Sequence, residues 1–285
     1  MNEKVVKHYL FASDFDQTLS FNDSGVVLSE LLEIPVEEFK RKAAGMAQLN
    51  LVQQGAELAY LLLHDPQFHS RVRREHLFEA GKRIPLKQNI DLLYKILDNG
   101  IEGYHFDFFV LSAAPVEIVQ SALASIVPAD HIFGTEFKYN ADGGIETIAR
   151  ATAGYGKVAR LDQLQADLLI GPDHVIYAGD GSSDLHAMLQ VNGYDGLTIA
   201  VSETRKVMRV AKRTVLSSNA LAMLIPILEE VVGWQQSQIS KFFESYGFLV
   251  QDWAKVQTDW LTLRPADTGL TENAAVEEQG QCLTR

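Results

Sequence analysis

Short, uniformly apolar runs separated by helix-like stretches constrain this chain more than any other feature. They fall at residues 9–12, 106–111 and 175–178, with a weaker one at 197–201. Such runs read as strands buried on both faces, which need helices between them to cover the sheet. The expected class is therefore α/β, with a mostly parallel sheet. Ligands of such sheets bind at the carboxyl ends of the strands. Here the first run leads into Asp14-Phe15-Asp16-Gln17-Thr18, the second into Ser112-Ala113-Ala114-Pro115 and the third into Gly179-Asp180-Gly181-Ser182-Ser183-Asp184. Three strand ends thus bring carboxylates and a hydroxyl to one edge.

After the first run, residues 23–83 contain no convincing strand. Apolar spacing predicts helices over 35–47, 51–63 and 68–80, with Pro35 suited to a helix start and Asp65-Pro66 breaking the chain between two of them. This reads as a helical insert. The predicted organisation is an α/β core over 1–21 and 84–232, the insert over 22–83, a helical extension over 233–263 and a polar, aperiodic tail over 264–285. Within the core, Leu86, Ile90, Leu93 and Leu97 recur at helical spacing up to Asn99-Gly100, residues 132–148 read as a hairpin turning at 140–144, and Pro226 is expected to kink a helix over 220–230.

Composition narrows the partners. The 285 residues carry 37 acidic and 25 basic side chains, a net charge of -12, which argues against a protein that coats nucleic acid or docks on an anionic membrane through a basic patch. Cys282 is the single cysteine, so no internal disulfide is possible. No stretch approaches the roughly 20 apolar residues of a membrane span. Lys4, Lys7 and His8 interrupt any signal-peptide pattern at the start. The expectation is a soluble cytoplasmic protein acting on a small molecule; oligomeric state is not legible.

The first acidic motif alone says little. It is not a calcium-binding EF-hand loop, because Leu19 stands where the turn glycine is needed and Gly25 where the final carboxylate is needed. The Gly179-Asp180-Gly181 segment adds weight: its glycines are expected to allow a tight backbone path that brings Asp180 toward another strand end. Asp184 falls at the start of the next helix, where a carboxylate also favours the dipole.

In order and spacing these residues resemble the four signature motifs of the haloacid dehalogenase-like superfamily: Asp14-Phe15-Asp16-Gln17-Thr18, then Ser112, then Lys157, then Gly179 through Asp184. The resemblance spans roughly 9 to 215, and the helical insert is similar to the cap of the phosphoserine-phosphatase-like branch. It implies a Rossmann-like core and hydrolysis of a small phosphomonoester. Asp14 would be the nucleophile forming an aspartyl phosphate and Asp16 the general acid/base. Ser112, Lys157 and Thr18 would serve the phosphate, and Asp14, the Asp16 carbonyl, Asp180 and Asp184 would hold Mg2+. The chemistry is coherent, because a carboxylate attacking a phosphate needs a cation, and Mg2+ takes oxygen ligands from one or two carboxylates plus the phosphate. A receiver-type signalling domain uses similar groups, but its lysine follows the last acidic motif, whereas Lys157 precedes it here.

Asp23 is placed to read a cationic amine on the substrate, or to cap the helix starting near Ser24. Arg41, Lys42, Arg71, Arg73 and Arg74 are candidates for an anionic group, against the alternative of solvated helix faces. Ser112 is followed by Ala113-Ala114-Pro115, where phosphoserine-specific relatives carry two glycines, and no arginine aligns with the one gripping the serine carboxylate. Phosphoserine, phosphocholine and phosphoethanolamine all remain open as substrates, as does an inactive relative that only binds.

Overall fold

The structure, a computed structural model, describes residues 6–250. Its strands are β1 (Lys7–Ser13), β2 (Tyr104–Pro115), β3 (Ile132–Tyr139), β4 (Ile145–Arg150), β5 (Val175–Gly179), β6 (Leu197–Ala200) and β7 (Arg213–Thr214). They form one sheet in the order β4-β3-β2-β1-β5-β6-β7. Every pairing is parallel except the β3–β4 hairpin. The mostly parallel α/β sheet is as expected, with β1 at its centre.

Twelve helices accompany the sheet among the described residues. Five lie within residues 22–83: α1 (Ser24–Leu31), α2 (Val36–Gln48), α3 (Glu57–His64), α4 (Pro66–Arg71) and α5 (Arg74–Arg83). Then come α6 (Ile90–Asn99), α7 (Val116–Ala122), α8 (Tyr155–Leu168), α9 (Leu185–Gly193), α10 (Arg205–Val210), α11 (Leu224–Ile227) and α12 (Gln236–Ser245). One face of the sheet offers Leu10, Ala12, Leu111 and Tyr177 to Leu161 and Leu164 of α8 and Ala187, Met188 and Val191 of α9. On the other, Phe11 and Phe108 pair their rings at 5.3 Å, and Tyr94 of α6 meets Phe108 edge-on. Burial of both faces removes apolar area from water and is the main term holding the sheet.

The chain leaves the core at Ser20-Phe21 and returns at Pro85-Lys87. These two crossings are bonded to each other, Phe21 N to the Pro85 carbonyl at 2.9 Å and Lys87 N to the Leu19 carbonyl at 2.8 Å. Within the insert α1 packs on α2 and α5, and α5 packs on α7 of the core. The α5–α7 approach depends on Gly81, since a Cβ there would lie 2.3 Å from the Ile118 carbonyl oxygen.

Some elements differ from the sequence expectation. Helix α3 starts only at Glu57, because Gly55 takes φ +90, outside the helical region. The stretch predicted as one helix over 68–80 is two helices. The Asp65 carboxylate caps α4 by accepting from Gln67 N at 3.0 Å, with Pro66 in the first turn. The chain then extends through Val72 and Arg73, where Val72 is wholly buried and Arg73 N donates to His76 Nδ1. Strand β2 continues past Leu111 through Pro115. Around Pro226 the backbone runs as a 3-10 turn (Ala220–Met223), then α11, then a wider π turn (Leu228–Val232).

Contacts group the described residues into one compact unit ending at Phe242 and a second beginning at Phe243. In the second unit, the described residues finish α12 and turn at Gly247, with Phe248 N bonded to the Phe243 carbonyl. Residues 251–263 of the expected helical extension, and the whole of 264–285, lie outside the described residues. Among the described residues no helix is long and apolar enough to cross a membrane.

Candidate active site

The site grows from the end of β1. Asp14 N continues the ladder to β5 by donating to the Ala178 carbonyl at 2.8 Å. The chain then curls, with the amides of Thr18, Leu19 and Ser20 all donating to the Phe15 carbonyl and Gln17 at φ +56. The hydroxyl that ties this turn belongs to Ser20, which accepts from Gln17 N at 3.1 Å and donates to the Asn22 carbonyl at 2.7 Å. Thr18 was the residue expected to serve the phosphate. Its Oγ1 is buried without a partner, and it lines a separate small cleft with Lys87 and Asn219 instead.

Beside Asp14 lies an ion cluster closed to water. Lys157, in the first turn of α8, donates to Asp14 Oδ1 at 2.7 Å and Asp184 Oδ1 at 2.6 Å. Asp184 also accepts from the Tyr177 hydroxyl at 2.7 Å, and its Oδ2 from the amides of Asp180 and Gly181 at 3.1 and 3.0 Å. Its charge is thus spent holding the loop and the lysine. Neither motif glycine takes a positive φ, so a left-handed turn is not what they supply. Gly179 is needed for close approach instead, since a Cβ there would lie 2.5 Å from Asp184 Cγ, while Gly181 has open space.

Asp14, Asp16, Ser112 and Asp180 line one cavity of about 620 Å³, with Phe21 and, from the insert, Asp23, Phe39, Lys40 and Glu57 on its wall. Lys157 and Asp184 are not on that wall. The Ser112 hydroxyl accepts from Ala114 N at 3.1 Å. Asp16 Oδ1 accepts from Ser24 N at 2.9 Å and the Ser24 hydroxyl at 2.6 Å. Asp23 caps α1 through Gly25 N at 2.7 Å and also lines the cavity.

The electrostatics follow from crowded carboxylates. Burial first, then the charge of Asp184, pushes Asp14 up to about 6, against the pull of Lys157. Burial followed by Asp14 and Asp184 pushes Asp180 up to about 9. Asp16 is raised well above the carboxylate range by burial and then by Asp23, with Ser24 opposing. Burial alone would lower Lys157, but the charges of Asp14 and Asp184 outweigh it and hold the ammonium firmly protonated. Oxygens of Asp14, Asp180 and Asp184 lie within 4.8 Å of one another.

None of Arg41, Lys42, Arg71, Arg73 or Arg74 lines the cavity. Lys42 pairs with Glu38 and Asp65, Arg71 and Arg73 donate to backbone carbonyls, and Arg74 meets Glu117. The cation on the wall among the described residues is Lys40. Lys40 and Glu57 carry no sequence signal of a site: one reads as a solvated helix lysine, the other as a first-turn carboxylate. Tyr177 sits in an apolar strand and reads as core.

Residues 11–189 match the haloacid dehalogenase-like hydrolase family. Among solved structures, a phosphoserine phosphatase in apo form is 19% identical, with a TM-score of 0.59 over 76% of this chain and 98% of that one. A phosphoserine phosphohydrolase-like protein from Francisella tularensis subsp. tularensis SCHU S4 is 24% identical, with a TM-score of 0.57 over 76% of this chain and 99% of the other. A HAD family hydrolase from Salmonella enterica subsp. enterica serovar Typhi is 15% identical, with a TM-score of 0.61 over 79% and 73%. At these identities the likeness is one of fold. No curated protein matches the chain.

Proposed function

The chain belongs to the haloacid dehalogenase-like hydrolases, and from that premise we propose that it is a Mg2+-dependent phosphatase of small phosphomonoesters, working through an aspartyl phosphate on Asp14. The observation that carries the reading is the pair at the end of β1: Asp14, ion-paired to a buried lysine, and Asp16, both facing one cavity.

The donor set suits a hard divalent cation. Among the described residues Asp180 faces the cavity with no hydrogen bond to its carboxylate, and its proton affinity is raised by burial and then by its anionic neighbours. A cation would relieve that repulsion, and all-oxygen donors select Mg2+ over softer ions. Asp14 and Asp180 would hold it with the Asp16 carbonyl, while Asp184 anchors the Asp180 loop. Once bound, Mg2+ neutralises phosphate charge and orients the phosphoryl group.

The protein's own groups then divide the work. Asp14 attacks phosphorus while the bond to the substrate's ester oxygen breaks. Asp16, which keeps its proton because it is buried beside Asp23, donates that proton to the departing alcohol. As a carboxylate it next takes a proton from water, which attacks the aspartyl phosphate and frees inorganic phosphate and Asp14. The Ser112 hydroxyl hydrogen-bonds a phosphate oxygen, and Lys157 keeps Asp14 oriented and anionic.

The far wall bears on the leaving group. Asp23 and Glu57 have no cationic partner among the described residues, and Phe21 and Phe39 line the same cavity. This favours an alcohol bearing an ammonium, as in phosphoethanolamine or phosphocholine. Phosphoserine adds a carboxylate, for which the wall offers Lys40, itself paired with Glu37 at 3.3 Å. Purified protein should hydrolyse an aryl phosphate with Mg2+ and lose that activity in EDTA or as Asp14→Asn. Turnover surviving Asp14→Asn would remove the nucleophile assignment, and binding of phosphomonoesters without turnover would mark a binding protein instead.

A further inference from the structure

We propose that His8, His105 and Asp107 form a second metal site, for a borderline ion of the Zn2+ type, at the opposite end of β1 from Asp14. His8 and His105 are direct partners in the parallel β1–β2 pair. Asp107 follows His105 by two residues and so shares its face of the sheet. The three side chains converge: His8 Nε2 contacts Asp107 Oδ2, His105 Nε2 lies 3.5 Å from Asp107 Oδ1, and the two imidazole centroids are 5.0 Å apart. One candidate ligand atom from each falls within 4.8 Å of the others. A tetrahedral Zn2+ with bonds of about 2.0–2.1 Å needs ligand atoms roughly 3.4 Å apart, so small side-chain rotations suffice.

The donors set this site apart from the acidic cavity. Two imidazole nitrogens and one carboxylate oxygen suit zinc-like ions, whereas the cavity offers oxygen only. The side chains of His8, His105 and Asp107 are 38%, 41% and 20% exposed, which leaves an approach and room for water ligands. All three stand on strands, where the backbone fixes their positions before any ion arrives. His174 Nδ1 adds a hydrogen bond to the His8 carbonyl at 3.1 Å, steadying the strand at the ligand. A bound ion would tie β1 to β2 at their amino ends.

The test uses full-length protein in excess Mg2+, which occupies the acidic cavity, titrated with Zn2+ by equilibrium dialysis and with Co2+ as a visible-absorption probe. Wild type should take up one equivalent of Zn2+ beyond the Mg2+. His8→Gln and His105→Gln should lose it while keeping aryl phosphate hydrolysis. No uptake by wild type, or equal uptake by both variants, overturns the site. Should a variant fail to fold, imidazole NMR of the wild type decides: Zn2+ must perturb His8 and His105, and perturbation confined to other histidines overturns the proposal.

Discussion

Lys157 Nζ lies 2.7 Å from Asp14 Oδ1, a bond that links the first turn of α8 to the end of β1 across 143 residues of sequence. The lysine side chain is 0% exposed and that of Asp14 5%. In so dry a setting the lysine acts on the balance of charge as much as on geometry. It is the buried cation against Asp14 and Asp184.

Lys157→Met therefore leaves two buried carboxylates without compensation. Breaking one side of a buried pair costs about 3–5 kcal/mol, and urea denaturation in EDTA should show a loss of that size. A loss under about 1 kcal/mol would place the bridge with weak surface pairs.

Asp180 sets a pH dependence with a definite sign. Its folded value of about 9 lies far above the unfolded one near 4. Across that window the folded state holds a proton that the unfolded state has released, so stability falls as pH rises. The contribution is intact below about pH 4 and gone above about pH 9. Melting of EDTA-treated protein should drop as pH rises, Asp14 adding to the slope between about 4 and 6. Asp180→Asn should flatten the slope and raise neutral-pH stability by about 1 kcal/mol or more. An unchanged slope would assign the effect to other groups.

The two motif glycines should behave differently. Gly179→Ala pushes a methyl into the Asp184 carboxylate, at a cost of about 1–3 kcal/mol, and lowers kcat at least about tenfold by displacing the Asp180 loop. Gly181→Ala has room and should stay within about 0.5 kcal/mol of wild type. Equal effects in melting and turnover would contradict the close-approach explanation.

On the cavity wall, Asp23→Asn keeps a capping side chain for α1 and removes only the charge. Together with Glu57→Gln it should raise KM about tenfold for aminoalkyl phosphates, some 1.4 kcal/mol of binding, with KM for aryl phosphates unchanged, while kcat falls alike for both because Asp16 loses the charge that helps it keep its proton. Equal KM increases for both substrate types would separate these carboxylates from leaving-group recognition.

Much of the fold was legible because strands buried on both faces leave an unbroken apolar signature, as in Tyr9 to Ala12 and Val175 to Ala178. The break at Val72-Arg73 was hidden, since neither residue is a helix breaker and Val72 extends to bury its side chain. Asp14, Asp16, Ser112 and Asp180 do meet at one cavity, because parallel strands present their ends at the same edge. Thr18 does not join them: the motif draws attention to the threonine, but the curl of the turn buries its hydroxyl away from the cavity, and Ser20 ties the turn. Tyr177 and Glu57 were missed because an aromatic in a buried strand and an acid in a first helical turn have ordinary structural reasons to be there.

The paired crossings at Ser20-Phe21 and Pro85-Lys87 have an evolutionary consequence. Entry and exit of the helical insert are stitched side by side, so everything between them is, to the sheet, a closed loop. Doubling such a loop adds only about 0.6 kcal/mol of closure entropy. Helices can be lengthened, replaced or borrowed there without shifting the register of β1 against β2. Descendants of such a chain could thus rebuild the far wall of the cavity while inheriting the carboxylates at the strand ends intact.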